Sequence, residues 1–210
     1  MQRWLGMYGV PAAKTTVLPN IVPVADVKQI KTNTIPRLFF DGGYAPFKGL
    51  HVIIAALKGV TVPYEVYTVG TGETRESLER ESRDNKVNVK FHGFVSESEH
   101  LRMVATSDVV IFPSLVPEGL GRLALLAMAA GKPVVASRIG GLAETVVDKK
   151  TGLLVEPGNV AEWRKALVSI CSDEKLREVL GTAGKERFAR EFSAESIVAK
   201  ALADYKKVLV

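Results

Sequence analysis

Residues 109–137 read VVIFPSLVPEGLGRLALLAMAAGKPVVAS, and the order of textures in this stretch decides the fold. Val109-Val110-Ile111-Phe112 is apolar without alternation, as expected of a strand covered on both faces. Pro113 to Gly121 is rich in loop formers. Leu123 to Ala130 is an unbroken run of eight apolar residues, well short of the ~20 that cross a membrane. It therefore reads as a buried helix. Pro133–Ala136 returns to strand character. Strand, loop, buried helix and strand at these lengths predict a βαβ unit with parallel strands and a right-handed crossover.

The pattern extends both ways. Further strands are predicted at Arg37–Asp41, Tyr64–Val69, Val87–Phe91 and Gly152–Val155. Helical patterns lie between them at Leu50–Lys58, Glu73–Arg83, Glu97–Ala105 and Gly119–Ala130. The expected fold class is α/β: a doubly wound, six-stranded parallel sheet with C-terminal helices. Asn159 is placed to cap a helix over Val160–Cys171, Asp173 one over Glu174–Leu180 that stops at Gly181, and Ser193 a last one running to Lys207. Residues 1–36 differ. They hold four of the ten prolines, which favour extended and turn structure. A short helix at Met1–Gly9, a strand at Thr15–Leu18 and a turn at Pro19-Asn20 are the expectations there. The expected division is a linker or remnant at 1–36 and one domain at 37–210.

Composition narrows the class. The chain has 210 residues, 47% hydrophobic and 24% charged, so it can bury a core unaided and is neither disordered nor collagenous. The single Cys171 rules out an intrachain disulfide and fits a reducing compartment. Met1–Val10 lacks the apolar core of a signal peptide. A cytoplasmic location is expected. The net charge of +5 is concentrated in residues 1–40, with five basic residues against one acidic. That distribution is not the basic face with interleaved aromatics of a nucleic-acid binder. It suits a solvated segment, or one lying near an anionic membrane face or a partner.

In a doubly wound sheet, ligands bind beyond the carboxyl ends of the strands. The loops there are rich in glycine. After the first strand, Asp41-Gly42-Gly43-Tyr44-Ala45-Pro46-Phe47-Lys48-Gly49 offers close backbone approach and a cation at a helix start. A tight turn with a solvated lysine explains it equally well, and the spacing is not that of a Walker A loop. Gly70-Thr71-Gly72 reads first as packing or turn glycine. His92 in His92-Gly93-Phe94-Val95 reads first as a hydrogen-bonded structural histidine, beside backbone that could face a nucleobase. Pro117-Glu118-Gly119-Leu120-Gly121-Arg122 is the most unusual stretch. The helix after it points its positive end into the cleft, and the amides of Gly119 to Arg122 can bind a diphosphate. Glu118 cannot bind phosphate; it can accept from sugar hydroxyls or else cap the helix. Gly140-Gly141 with Glu144 one turn on has a site reading and a plain helix-terminus reading. His51, His92, His100 and Cys171 give no metal-ligand spacing, and no metal or other cofactor is expected.

Taken together these loops resemble the C-terminal, nucleotide-sugar donor-binding domain of retaining GT-B glycosyltransferases of family 4. The matching words are Phe-Lys-Gly at 47–49, Gly-x-Gly at 70–72, Phe-His-Gly-Phe-Val at 91–95 and Ser-Asp-Val-Val-Ile-Phe-Pro-Ser at 107–114. They continue with Pro-Glu-Gly-Leu-Gly at 117–121, Ala-Met-Ala-Ala-Gly-Lys-Pro-Val-Val-Ala-Ser at 127–137, Gly-Gly-Leu-Ala-Glu at 140–144 and Thr-Gly-Leu-Leu-Val at 151–155. The resemblance implies a nucleoside diphosphate sugar as substrate and transfer of a hexose to a glycan or lipid-linked acceptor. It implies Lys48 on the diphosphate and amides of Gly119, Leu120 and Gly121 on phosphate and sugar. It further implies Glu118 on the sugar hydroxyls, Gly93 and Val95 beside the base, and Gly140, Gly141 and Glu144 lining the cleft; Gly42, Gly43 and Gly70 are further substrate-binding candidates by their place in the loops. Lys48 and Glu118 would carry the chemistry, with positive charge and helix dipole stabilising the leaving diphosphate.

The chain departs from that family in three ways. An arginine usual after the first loop's glycine is Gly43 here, and the second acid of the Glu-x7-Glu pair, which holds ribose hydroxyls, is Leu126. Losing a charged hydrogen bond of that kind costs about 1.5–3 kcal/mol, roughly 10- to 150-fold in affinity. Arg122 can restore some positive charge. The N-terminal acceptor domain has no counterpart in these residues, so a separate or deleted partner domain is implied. Two functions follow: a transferase's donor half, or a non-catalytic nucleotide- or sugar-binding module with a degenerate site. A dinucleotide oxidoreductase is disfavoured, because the early Gly-x-Gly-x-x-Gly and its ribose acid are missing.

Overall fold

A computed structural model of the protein describes residues 2–22 and 34–208. The middle of the expected linker, residues 23–33, lies outside the described residues. Six strands form one parallel sheet: β1 (Arg37–Asp41), β2 (Glu65–Val69), β3 (Val89–Phe91), β4 (Val109–Phe112), β5 (Val134–Ser137) and β6 (Gly152–Val155). Their order is β3-β2-β1-β4-β5-β6, every neighbour parallel. Nine α-helices accompany them among the described residues: α1 (Gln2–Met7), α2 (Leu50–Leu57), α3 (Arg75–Asp84), α4 (Glu97–Thr106), α5 (Arg122–Ala129), α6 (Leu142–Thr145), α7 (Val160–Ser172), α8 (Glu174–Glu191) and α9 (Ala194–Val208).

Successive residues of each central strand enter opposite cores. Leu38, Phe40, Val109, Ile111 and Val135 pack with residues of α2 and α7. Phe39, Val110, Phe112, Val134 and Ala136 pack with residues of α4, α5 and α8. With both faces covered, the strands have no need of polar alternation. α5 is the most enclosed helix, with Leu123 to Ala129 all buried and only its first residue, Arg122, in solvent. Each fully buried leucine or methionine contributes roughly 1.5–3 kcal/mol, so this helix is held by its surroundings and not by an amphipathic pattern.

The expected caps form. Asn159 accepts from the Glu162 amide at 3.1 Å, Asp173 from the Leu176 amide at 2.8 Å and Ser193 from the Ser196 amide at 3.2 Å. Two expectations need correction. Thr15–Leu18 is not a strand, and Pro19-Asn20 adopts no regular turn: the Val17 carbonyl accepts from Lys200 Nζ on α9 at 3.0 Å, so this segment bonds a helix side chain and joins no ladder. And α8 does not stop at Gly181; it continues to Glu191. A Cβ at Gly181 would lie 2.1 Å from the Gly131 carbonyl oxygen, so this glycine lets α8 meet the α5–β5 turn instead of ending the helix.

That difference is testable with two glycines of the same helix. Gly181→Ala should lower stability by about 2–4 kcal/mol through overpacking and backbone displacement. Gly184→Ala, whose Cβ would meet its nearest atoms only at 3.5–3.9 Å, should raise stability by roughly 0.5–1 kcal/mol through helix propensity. Denaturant unfolding of both variants measures this, and equal effects would remove the close-approach account.

Candidate functional site

The strand order reverses between β1 and β4, so the loops that follow them diverge to opposite faces and leave a crevice. The β1 loop, the β4 loop and α5 meet there. The Leu115 amide donates to the Phe47 carbonyl at 2.8 Å. A Cβ on Gly49, at φ +78°, would lie 2.0 Å from the Pro113 carbonyl oxygen. Beside this seam opens a cavity of about 690 Å³, lined among others by Asp41, Gly70, Phe94, Val95, Glu118, Gly121, Arg122 and Leu126.

Lys48 and Glu118 face each other at the seam. Lys48 Nζ lies 3.0 Å from Glu118 Oε1, and each side chain is about one-quarter exposed. Buried Ser114 also donates its hydroxyl to Glu118 Oε1. Lys48 is therefore not a freely solvated lysine. Nor is Glu118 a helix cap: the residue before α5 is Gly121, at φ +73°, with no side-chain cap. The first-turn amides of α5 have no partner within the helix, so this end presents donors and partial positive charge to the cavity.

The other glycines work by close approach. A Cβ on Gly140 would lie 2.6 Å from the Glu118 carbonyl oxygen, and one on Gly141 would lie 2.5 Å from that of Gly119. The Gly141 amide donates to the Glu118 carbonyl at 2.9 Å, and the Thr145 hydroxyl to the Leu120 carbonyl at 2.7 Å. Gly70, at φ +117°, rests against Gly43, and its amide donates to the Gly93 carbonyl at 3.1 Å. Gly42 lies under the Phe40 ring. Glu144 stands exposed on α6, outside the cavity lining, with its backbone carbonyl accepting from Arg187. Arg122 and Glu97 are both exposed, 3.9 Å apart at the rim.

Three residues that the loop reading did not single out organise this region. Tyr44 is fully buried. Its hydroxyl donates to the His92 carbonyl at 2.6 Å and lies 3.0 Å from the Thr68 hydroxyl. Its amide donates to the Thr71 carbonyl at 3.0 Å, and its carbonyl accepts from the Thr74 amide at 3.1 Å. One side chain and its backbone thus tie together the loops after β1, β2 and β3. Burial raises its phenol pKa, with the Thr68 bond and Arg75 opposing. A tyrosine inside a glycine loop was the available signal. Asp41 and His100 form the other pair: His100 Nε2 lies 2.7 Å from Asp41 Oδ2, and both line the cavity. They are 59 positions apart, so no spacing rule joins them. His92 is structural, stacked on Tyr67 with ring centroids 5.8 Å apart. Among the described residues no group of three or more His, Cys, Asp or Glu side chains is placed to hold a metal, and no helix is long and apolar enough to cross a membrane.

Comparison with known proteins gives a consistent result. Residues 26–187 match the model of the family "Glycosyl transferases group 1". The chain is 32% identical over 160 residues to an uncharacterized glycosyltransferase of Methanocaldococcus jannaschii, covering 76% of this chain and 44% of that protein. It is 32% identical over 173 residues to a GDP-mannose-dependent phosphatidylinositol monomannoside mannosyltransferase of Corynebacterium glutamicum, covering 78% and 45%. Among solved structures, sucrose-phosphate synthase from Thermosynechococcus elongatus superposes with a TM-score of 0.74 at 28% identity, covering 90% of this chain and 50% of that one. Anabaena HepE in complex with UDP and glucose shares the fold, with a TM-score of 0.81 at 24% identity over 97% and 60%. The chain spans about half the length of the curated relatives it matches.

The Tyr44 knot makes a prediction. Tyr44→Phe removes one hydroxyl and leaves the His92 carbonyl and the buried Thr68 hydroxyl one partner short. Stability should fall by about 1–3 kcal/mol, a Tm shift of roughly 2–10 °C for a domain of this size. Calorimetric melting checks it, and an unchanged Tm would show that the knot does not hold the loops.

Proposed function

We propose that this chain, which belongs to the glycosyl transferases group 1 family, is the donor-binding half of a retaining transferase that moves a hexose from a nucleoside diphosphate sugar to a glycan or lipid-linked acceptor. The observation that carries the reading is the meeting of Lys48, Glu118 and the start of α5 at the strand-order reversal, beside a cavity of about 690 Å³. A diphosphate needs cationic and N–H partners, and a sugar needs hydroxyl acceptors; this seam offers both. The named relatives and neighbours point the same way, one being GDP-mannose-dependent and another solved with UDP and glucose.

On this reading a diphosphate docks on the amides of Gly119 to Arg122 and competes with Glu118 for Lys48. As Lys48 turns to the phosphates, Glu118 keeps Ser114 on Oε1 and offers Oε2 to sugar hydroxyls. As the glycosidic bond breaks, charge grows on the departing diphosphate. Lys48, the α5 amides and Arg122 are the positive groups that stabilise it, already in place before the reaction. No cofactor is needed beyond the donor. The acceptor is supplied by another domain or subunit, to which residues 1–36 form the linker, and the work is done in the cytoplasm or at its membrane face.

A second reading, a binding module without turnover, is favoured by two positions. Leu126 presents an apolar wall to the cavity, and a side chain at Gly43, at φ +65°, would meet the Thr71 carbonyl oxygen at 2.8 Å. Neither place can supply a charge.

Titration calorimetry with UDP-, GDP- and ADP-sugars tests the donor site. Saturable binding is expected for at least one. Lys48→Ala should weaken it at least 10-fold, about 1.4 kcal/mol. Glu118→Gln should weaken the nucleotide sugar while leaving the sugar-free diphosphate unchanged or tighter. Failure of all three donors would remove the donor-site reading.

A further inference from the structure

We infer that Asp41, held by His100, is the acceptor for the vicinal ribose hydroxyls of the bound nucleotide. The inference rests on the donor-site reading and assigns a role to a pair that reading leaves unused.

Three carboxylates line the cavity: Asp41, Glu97 and Glu118. Glu118 is held through Oε1 by Lys48 and Ser114 at the α5 seam, away from the apolar Phe94–Val95 wall. Glu97 is exposed at the rim near Arg122. Asp41 differs from both. It ends β1 at the cavity floor with its side chain about one-third exposed, so it is reachable without being fully solvated. An ionised carboxylate is acceptor-only, so His100 Nε2–H donates to Oδ2 across 2.7 Å. His100 is itself fixed: its ring packs edge-on to buried Phe39 at 5.7 Å, and its amide donates to the Ser96 carbonyl at 2.9 Å in the first turn of α4. The second oxygen, Oδ1, makes no hydrogen bond among the described residues. A half-shielded carboxylate with one oxygen clamped and one open suits two adjacent hydroxyl donors, the pattern of a vicinal diol.

Position selects the ribose over the transferred sugar. Phe94 and Val95, the apolar cavity wall suited to a base, lead directly into α4, and His100 lies one turn along that helix. A base against Phe94 and Val95 puts its ribose beside the first turn of α4, where the dyad stands. Leu126, on the same cavity, has no polar atom to offer. The transferred sugar belongs with Glu118 at the α5 end.

Calorimetry on the full chain tests this with UDP, GDP and ADP against their 2′,3′-dideoxy forms, all without a sugar, so that only ribose hydroxyls vary. The preferred diphosphate should bind at least 10-fold more tightly than its dideoxy form. Asp41→Asn and Asp41→Ala should reduce that ratio to about 3 or less while leaving dideoxy affinity within about twofold. His100→Gln, the positioning variant, should reduce the ratio partway, a readout that a merely structural histidine would not move. A ratio near 1 in the unaltered chain, a ratio unchanged in the Asp41 variants, or equal loss of both ligands would each overturn the inference. Discrimination seen only with sugar-bearing donors would move Asp41 to the sugar and overturn the ribose assignment. Binding of none of the three diphosphates would remove the donor-site reading itself, a result distinct from the others.

Discussion

The cleft exists because the backbones of its loops touch with no side chain between them. At five junctions a single added Cβ would overlap backbone of another loop: Gly49 on Pro113, Gly70 on Gly43, Gly72 on Tyr44, Gly140 on Glu118 and Gly141 on Gly119. Backbone in such contact brings its amides and carbonyls together as one polar rim over an apolar sheet. The first glycine-rich loop therefore does not act alone. It is one wall of a surface assembled from every loop at this end of the strands, and any larger residue at a junction would separate the walls before it touched a ligand.

Electrostatics then follow from what that rim encloses. A lysine and a glutamate, each partly shielded, neutralise each other across the β1 and β4 loops. Leaving either alone in a shielded place is costly, so each holds the other in position until a stronger partner arrives. On the proposed reading a diphosphate would be such a partner for the lysine, and sugar hydroxyls would suit the glutamate. The dipole of α5 adds positive character at the rim, on a helix packed into the core over Leu123–Ala129.

Much of this was legible in the sequence, for physical reasons. Strands buried on both faces carry unbroken apolar runs, so all six were found within two residues of their observed bounds. Caps such as Asn159 and Asp173 are local hydrogen bonds and can be read locally. Gly181 was misread because a glycine that ends a helix and a glycine that lets another chain segment approach look alike in one dimension. What distinguishes them is Gly131, fifty positions away. Asp41 and His100 escaped for the same reason: a strand end and a helix's first turn meet only in the folded chain. Tyr44 was visible but mute, since its three loop contacts are long-range.

The two departures from the family pattern belong to one arrangement. Gly43 sits in the left-handed region with the Thr71 carbonyl close by, which fixes the β1 loop against the β2 loop. An arginine there would cost roughly 1–2 kcal/mol in backbone conformation before its side chain found room. The loop that rejects the arginine is the same loop that presents Asp41 at its start and Tyr44 just after. If Asp41 takes the ribose, the acid stands on a strand end, clamped by a histidine from α4, in place of a helix turn. Leu126 and Gly43 therefore do not by themselves mark a site in decay. On the proposed ribose assignment they fit a cleft whose polar work would fall to Asp41, Lys48 and the α5 amides, with ribose recognition resting on β1.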